Sequence, residues 1–437
     1  MTMRISTGMI YDAGVGSINK QTSTLLHTQQ QIASGRRILT PSDDPVAAAR
    51  ALEVTQAKDI TKQFTSNQDT ANATLSLAES NLSGASTLLT RVKTLAVQGA
   101  NGSLTSADRF SITTELRARF DELIGIANST DGTGQYLLSG YQSNIKPFAG
   151  TVTTGVAYSG DDGQRRQQVS ASRQIEISDS GNAIFNQVVN GNGHFATTYA
   201  AANSGTGMID VGNVTDPVKW NSSGTNLNVV FQADANGAMY YDLVDAGGNS
   251  MFTAAASTAA PANGPGSSFT HAYTPGQSIS FSGLDVATFP PNGDLGAAVV
   301  VTGAPADGDS FSVTKSSSQS IFTTIANLIN ALETSNNGTP AGAAKFATDM
   351  GSALENIDQA SENILTARAS IGSRMNEIDS LKSVNSDLAI QYDQNLSNLQ
   401  DLDYAKTITD LTRSQTQLQA SQQSFAKVSQ LSLFNYL

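Results

Sequence analysis

Glycine and proline are segregated along this chain, and that segregation limits the fold more than any other feature. Of 37 glycines, 27 lie between positions 131 and 345, together with 9 of the 11 prolines. A helix interior loses about 1 kcal/mol to a glycine and about 3 to a proline, so long uninterrupted helices fit only outside that window. The expected fold is α+β and multidomain: long helices from both chain ends pair into a coiled-coil or helical-bundle core, and a β-rich outer domain is inserted between them. Punctuation divides the 437 residues into five expected segments. These are an N-terminal helix (1–42), the first part of the helical core (43–134), the outer domain (135–340), the second part of the core (341–400) and a C-terminal helix (401–437).

Apolar spacing fills in the helices. Val15, Ile18, Leu25 and Ile32 form a heptad-like stripe with Thr22 and Gln29 at the intervening core positions. Gly35 follows as a left-handed C-cap. Asp43 and Asp44 precede Pro45 and read as an acidic helix start, which explains this carboxylate pair without a metal or an acid-base role. From there Ala57, Phe64, Ala71, Leu75, Ala78, Leu82, Ala85, Leu89, Val92 and Ala96 keep a three-four spacing up to Gly99. Thr105 and Asp108 form a capping box for a shorter helix bearing Ile112, Leu116, Phe120, Leu123 and Ala127. In the middle, Val229–Phe231, Met239–Val244 and Phe311–Val313 read as strands. The turns are Asp161 to Gly163, Asp234 to Gly237, Gly247 to Asn249 and Pro290 to Gly293. Ile321, Phe322, Ile325, Leu328, Ile329 and Leu332 mark a helix. Leu354, Ile357, Ile364, Ile371, Met375 and Ile378 then lie in one heptad phase, after which the register is expected to shift toward Tyr392, Leu396 and Leu399. Tyr404, Ile408, Leu411, Leu418 and Phe425 close the pattern, with Gln415 and Gln422 at core positions.

Composition narrows the function. There is no cysteine, and Lys plus Arg total 25 against 37 Asp plus Glu, a net charge of -12 that disfavours nucleic acid and anionic membranes as partners. No apolar run of spanning length and no cleaved signal sequence is expected. Walker, dinucleotide, zinc-protease and serine-elbow motifs are missing, so no catalytic residue, cofactor or metal site is assigned. Asp234-x-Asn236-Gly237 begins like a calcium loop but lacks the closing glutamate, and a hairpin turn explains it better. A secreted β-rich adhesin would account for the middle of the chain but not for two co-phased terminal helices, and a polysaccharide-active enzyme would need a pair of carboxylates in a cleft, which nothing in the sequence arranges. Those ends are nearly uncharged: Asp12 and Lys20 are the only charges between Ile5 and Gly35, and Lys427 the only one from Ser414 onward. A solvated coiled coil normally carries Glu and Lys beside its seam. Each of Thr22, Gln29, Gln415 and Gln422 forgoes the roughly 1.5–3 kcal/mol of a buried leucine. The ends are therefore expected to be marginal alone and ordered by packing against neighbouring copies.

Particular stretches carry a resemblance. Met3-Arg4-Ile5-Ser6-Thr7, Gln31-Ile32-Ala33-Ser34-Gly35-Arg36-Arg37 and Pro41-Ser42-Asp43-Asp44-Pro45 resemble the start of the flagellar hook-associated protein 3 family, the hook-filament junction proteins. Gly134-Gln135-Tyr136-Leu137-Leu138-Ser139-Gly140-Tyr141, Tyr158-Ser159-Gly160-Asp161, Arg368 to Asn376 and the closing Leu433-Phe434-Asn435-Tyr436-Leu437 are similar as well. Flagellin is the nearest alternative, although its pattern lacks the Pro-Ser-Asp-Asp-Pro sequence. The resemblance implies type III export and a ring of identical subunits outside the cell at the hook-filament junction, meeting hook-associated protein 1 on one side and flagellin on the other. The assembly residues on this reading are Val15, Ile18, Leu25, Ile32, Arg36, Asp43, Asp44, Leu411, Leu418, Phe425, Leu433 and Phe434. The family also implies an export chaperone on Leu411, Leu418, Phe425 and Phe434.

Overall fold

The computed structural model describes residues 7–252, 267–285, 293–335 and 338–430. Among them run seven α-helices: α1 (Thr7–Ser34), α2 (Pro45–Gly99), α3 (Ser106–Ala127), α4 (Pro217–Ser223), α5 (Ile321–Asn330), α6 (Pro340–Gln400) and α7 (Tyr404–Gln430). Their ends follow local chemistry. Gly35 takes φ 69° just after α1, and the Thr105 hydroxyl and Asp108 carboxylate cap each other's backbone at the start of α3. The expected turn at Pro290 and the stretches Met3–Ser6 and Leu431–Leu437 lie outside the described residues.

Two compact units emerge: one holds Met1–Gln68, Val169–Ser172 and Asp379–Leu437, the other Asp69–Gln168 and Arg173–Ile378. In the first, α1 pairs antiparallel with α7, Gly14 lying against Phe425 and Gly35 against Tyr404. This unit is short of large buried side chains. Among the described residues its buried hydrophobics are Ala47, Ala51 and Val169, and beside them Thr28, Thr61, Gln68, Asn385 and Thr407 are buried.

The second unit has an apolar helical core. Leu75, Leu82, Leu89 and Val92 of α2, Leu116, Phe120 and Leu123 of α3, Ile325 and Leu328 of α5 and Ile357, Ile364 and Ile371 of α6 are all buried. Ion pairs Glu79 with Arg368 and Lys93 with Asp358 fix α2 and α6 as antiparallel neighbours. At one end Phe148, Phe185 and Phe322 cluster, and Phe322 meets Phe120 edge-on.

The inserted domain is a sandwich. One sheet has the order His271–Ala272, Met239–Asp245, Leu227–Ala233, Ser310–Lys315, Phe195–Tyr199; the other is built on Ala297–Thr302, flanked by Ser278–Ser280 and by Met208–Ile209 and Asn213–Val214. Alternate residues of Leu227–Ala233 and Ser310–Lys315 point inward to meet Trp220, Phe281 and Leu295. Asp234 closes a hairpin, its Oδ1 accepting the Asn236 and Ala238 amides at 2.8 Å, so the calcium-like spacing is an Asx turn.

The expected register shift in α6 does not occur. Ile378, Asn385, Tyr392 and Leu399 stand at unbroken heptad steps, with Asn385 7% exposed at a core position. A polar residue on the seam made a continuous stripe look interrupted.

Candidate assembly interface

The α1–α7 seam is built from fewer apolar layers than the spacing suggests. Ile18, Leu25 and Ile32 face it from α1, and Leu411, Leu418 and Phe425 from α7, all half-buried. The layers between them are Gln21, Thr22 and Thr28 against Thr407, Ser414 and Ser421, while Gln29, Gln415 and Gln422 are exposed. Val15 is 45% exposed and Ile408 52%, so both flank the seam instead of filling it. The cause is local. Phe425 needs a glycine opposite: a Cβ on Gly14 would lie 2.7 Å from its ring, and Tyr11 meets that ring edge-on at 5.1 Å. That contact draws position 14 onto the seam and turns Val15 outward.

Where both helices break, the two chain ends are stitched together. Arg37 N donates to Gln400 O (2.7 Å) and Leu402 N to Gly35 O (3.1 Å), a short antiparallel bridge centred on Arg36 and Asp401. The Arg37 guanidinium donates to Leu399 O at 2.8 Å and pairs with Asp44. Gln31 Nε2 donates to Arg37 O at 2.6 Å. Tyr404 lays its hydroxyl over Gly35, where a side chain would collide.

Asp43 and Asp44 divide the work expected of both. Asp44 Oδ1 accepts the Ala47 amide (3.0 Å) and caps α2. Asp43 instead accepts the Thr40 and Leu39 amides (2.9 Å each) and meets His27 Nε2 at 3.1 Å, which ties the connector back to α1. Those amide donors hold both carboxyls below the usual aspartate range. Arg36 is exposed and contributes main chain only, so Arg37 is the side chain that sequence reasoning missed. Leu433 and Phe434 lie outside the described residues.

Two separated motifs form one knot in the second unit. Asp161 accepts the amides of Tyr141 (2.9 Å), Gln142 (3.1 Å) and Gly163 (2.7 Å), while Tyr158 Oη donates to Leu138 O and Asp161 O. The Gly-Gln-Tyr-Leu-Leu-Ser-Gly-Tyr and Tyr-Ser-Gly-Asp stretches thus make a single turn system at the base of the insert. Among the described residues no group of three or more His, Asp or Glu side chains could hold a metal, and no helix is long and apolar enough to cross a membrane.

Both helical ends match known families: the bacterial flagellin N-terminal helical region over residues 5–143 and the C-terminal helical region over residues 354–437. With the paired terminal helices and stitched connector, this defines a flagellin-like structural protein of the flagellum. Over 432 residues, 99% of both chains, the sequence is 27% identical to the flagellar hook-associated protein 3 of Escherichia coli (strain K12). The crystal structure of FlgL from Xanthomonas campestris shares 30% identity at a TM-score of 0.62, covering 76% of this chain and 99% of that one. A flagellin from Clostridium tyrobutyricum matches over only 32% of this chain. The chain belongs to the hook-associated protein 3 family, the structural proteins of the flagellar hook-filament junction.

Proposed function

We propose that this protein works as a ring of identical copies, contacting hook-associated protein 1 on one face and flagellin on the other, with no catalytic role. One observation carries the reading. The unit formed by the chain ends buries only Ala47, Ala51 and Val169 as hydrophobics while Val15, Leu26, Val46, Leu52, Ile60, Val384, Ile390 and Ile408 stay exposed among the described residues. Burying one such side chain stabilises by roughly 1.5–3 kcal/mol, so neighbouring copies supply what the subunit lacks. Ile18, Leu25, Ile32, Leu411, Leu418 and Phe425 pair the ends; Arg37, Asp43 and Asp44 hold the connector in place.

Division at 42, 134, 340 and 400 makes segments 1–42 and 401–437 the inner tube, 43–134 and 341–400 the helical core, and 135–340 the outer domain. Type III export of an unfolded chain to the cell exterior accords with the lack of cysteine and with weakly self-sufficient ends. An export chaperone would take Leu411, Leu418 and Phe425 of α7 in place of α1, together with Phe434. Deleting the gene tests the reading: cells should keep hooks, lose filaments and release flagellin monomers. Filaments on such cells refute it. In a complementation assay Leu25→Asp, which buries a charge in the seam, should abolish motility while the inserted sandwich stays folded.

A further inference from the structure

Asparagine followed by glycine is a chemically weak step in any chain. The glycine nitrogen, once deprotonated, attacks the asparagine Cγ; the new N–Cγ bond closes a cyclic imide and the side-chain amide leaves as ammonia. Water then opens the ring at either carbonyl, giving aspartate or isoaspartate. The net change consumes a water, releases an ammonia and turns a neutral side chain into an anion. Glycine permits the close approach because it has no Cβ. Asn-Gly occurs seven times in this sequence, and at Asn101, Asn190, Asn192 and Asn236 both residues are described.

The fold guards three of these four steps. Gly191 N donates to Asn356 Oδ1 at 2.7 Å, and the Asn190 Oδ1 beside it accepts the Ser317 amide at 2.8 Å. Gly193 N donates to Asn190 O, and the Asn192 amide group, which would have to leave, is held by Val211 O and Gly212 O at 3.1 and 3.2 Å. Gly237 N donates to Asp234 O at 3.0 Å inside the hairpin that Asp234 closes. In each case the nucleophile is already engaged.

Asn101 is different. It lies with Gly102 and Ser103 on the exposed turn between α2 and α3, and Gly102 N meets no acceptor among the described residues. Its Oδ1 accepts both the Ser103 amide (3.0 Å) and the Ser103 hydroxyl (2.9 Å). That ring holds the carboxamide against the Gly102 peptide, and its two donors stabilise the negative charge that the oxygen gains as Cγ is attacked.

We propose that Asn101 is a self-modification site: in the folded chain it converts to aspartate and isoaspartate ahead of Asn190, Asn192 and Asn236. The new anion stands just past the C-terminal end of α2, where the helix carbonyls already concentrate negative charge. In the isoaspartyl product the main chain runs through the former side chain. The Asn101 carbonyl that accepts the Leu104 amide at 3.2 Å is then lost from the turn that leads into the α3 cap.

Peptide mapping of the full chain by mass spectrometry, after incubation at mildly alkaline pH, tests the proposal. Asn101 should convert about tenfold or more faster than the other three, whose hydrogen bonds must open first. In urea the four rates should converge. Another site leading in the folded chain, or Asn101 leading by the same margin in urea, would overturn the proposal. A Cβ on Gly102 meets nothing within 4 Å, so Gly102→Ala should keep the fold and slow conversion at Asn101. An unslowed Gly102→Ala chain would mean that the glycine nitrogen is not the nucleophile.

Discussion

Tyr273 shows what one buried hydroxyl does to this protein. Its Oη donates to Gly303 O at 2.8 Å and to Val301 O at 3.1 Å, and burial pushes its pKa from 10.0 up to about 12. Between those values the folded chain keeps a proton that the unfolded chain has lost, so stability is whole below pH 10 and falls as pH rises toward 12. Tyr199 and Tyr241 are shifted upward for the same reason. Alkaline titration followed by circular dichroism should therefore unfold the sandwich in that window. Tyr273→Phe should flatten the slope there and lower stability at neutral pH by roughly 1 kcal/mol for the lost hydrogen bonds. An unchanged alkaline slope in the variant would remove Tyr273 from the account. Asp161 works in the opposite direction: its amide donors depress its pKa below 3.8, so its contribution is present above that value and lost as pH falls further. Asp161 was readable as a turn residue and Tyr273 was not readable at all, and the role of neither could be seen from sequence, because both act through main-chain groups that only the fold brings near. The Asp43 and Asp44 pair was half legible: a helix cap was readable, but the contact of Asp43 with His27 was not.

At the scale of elements, glycines make the sharpest test. Gly14 and Gly16 lie in α1 two residues apart, and replacing either by alanine raises intrinsic helix stability by about 1 kcal/mol. A Cβ at Gly16 meets nothing within 4 Å, whereas one at Gly14 lies 2.7 Å from the Phe425 ring. Gly16→Ala should raise the melting temperature of the α1–α7 pair, while Gly14→Ala should leave it unchanged or lower it; matching gains from both would show that Phe425 does not pack as described. The same contact explains which parts of the fold were legible. Helix ends were readable because Gly35, Pro45 and Thr105 act locally, through φ angles and caps. The phase of the α1–α7 seam was not, since Gly14 and Val15 both satisfy a three-four spacing and only the bulk of Phe425 chooses between them. In α2 and α6, buried Gln68 and Asn385 hid heptad positions that apolar counting passes over.

Across the whole molecule the two units differ in kind. One carries the phenylalanine and leucine core of α2, α3, α5 and α6 together with the sandwich; the other is held by Ala47, Ala51 and Val169, by buried Thr61, Gln68 and Asn385, and by the stitched connector. Gln68 Nε2 donates to Val169 O at 2.8 Å while its Oε1 finds no partner among the described residues. An unmet buried acceptor costs about 1–3 kcal/mol, so these polar layers add little to stability. Local opening should therefore be graded. In dilute monomer, amides of α1 and α7 should exchange many orders of magnitude faster than those around Leu82, Leu89 and Ile364, and chemical denaturation should show the chain ends melting first. Once copies assemble, the exposed hydrophobics such as Val15 and Ile408 should become buried and the order should reverse at the ends, with α1 and α7 among the protected helices. A monomer whose terminal amides exchange as slowly as its core would mean that these helices need no neighbours, and the case for assembly through them would fail with it.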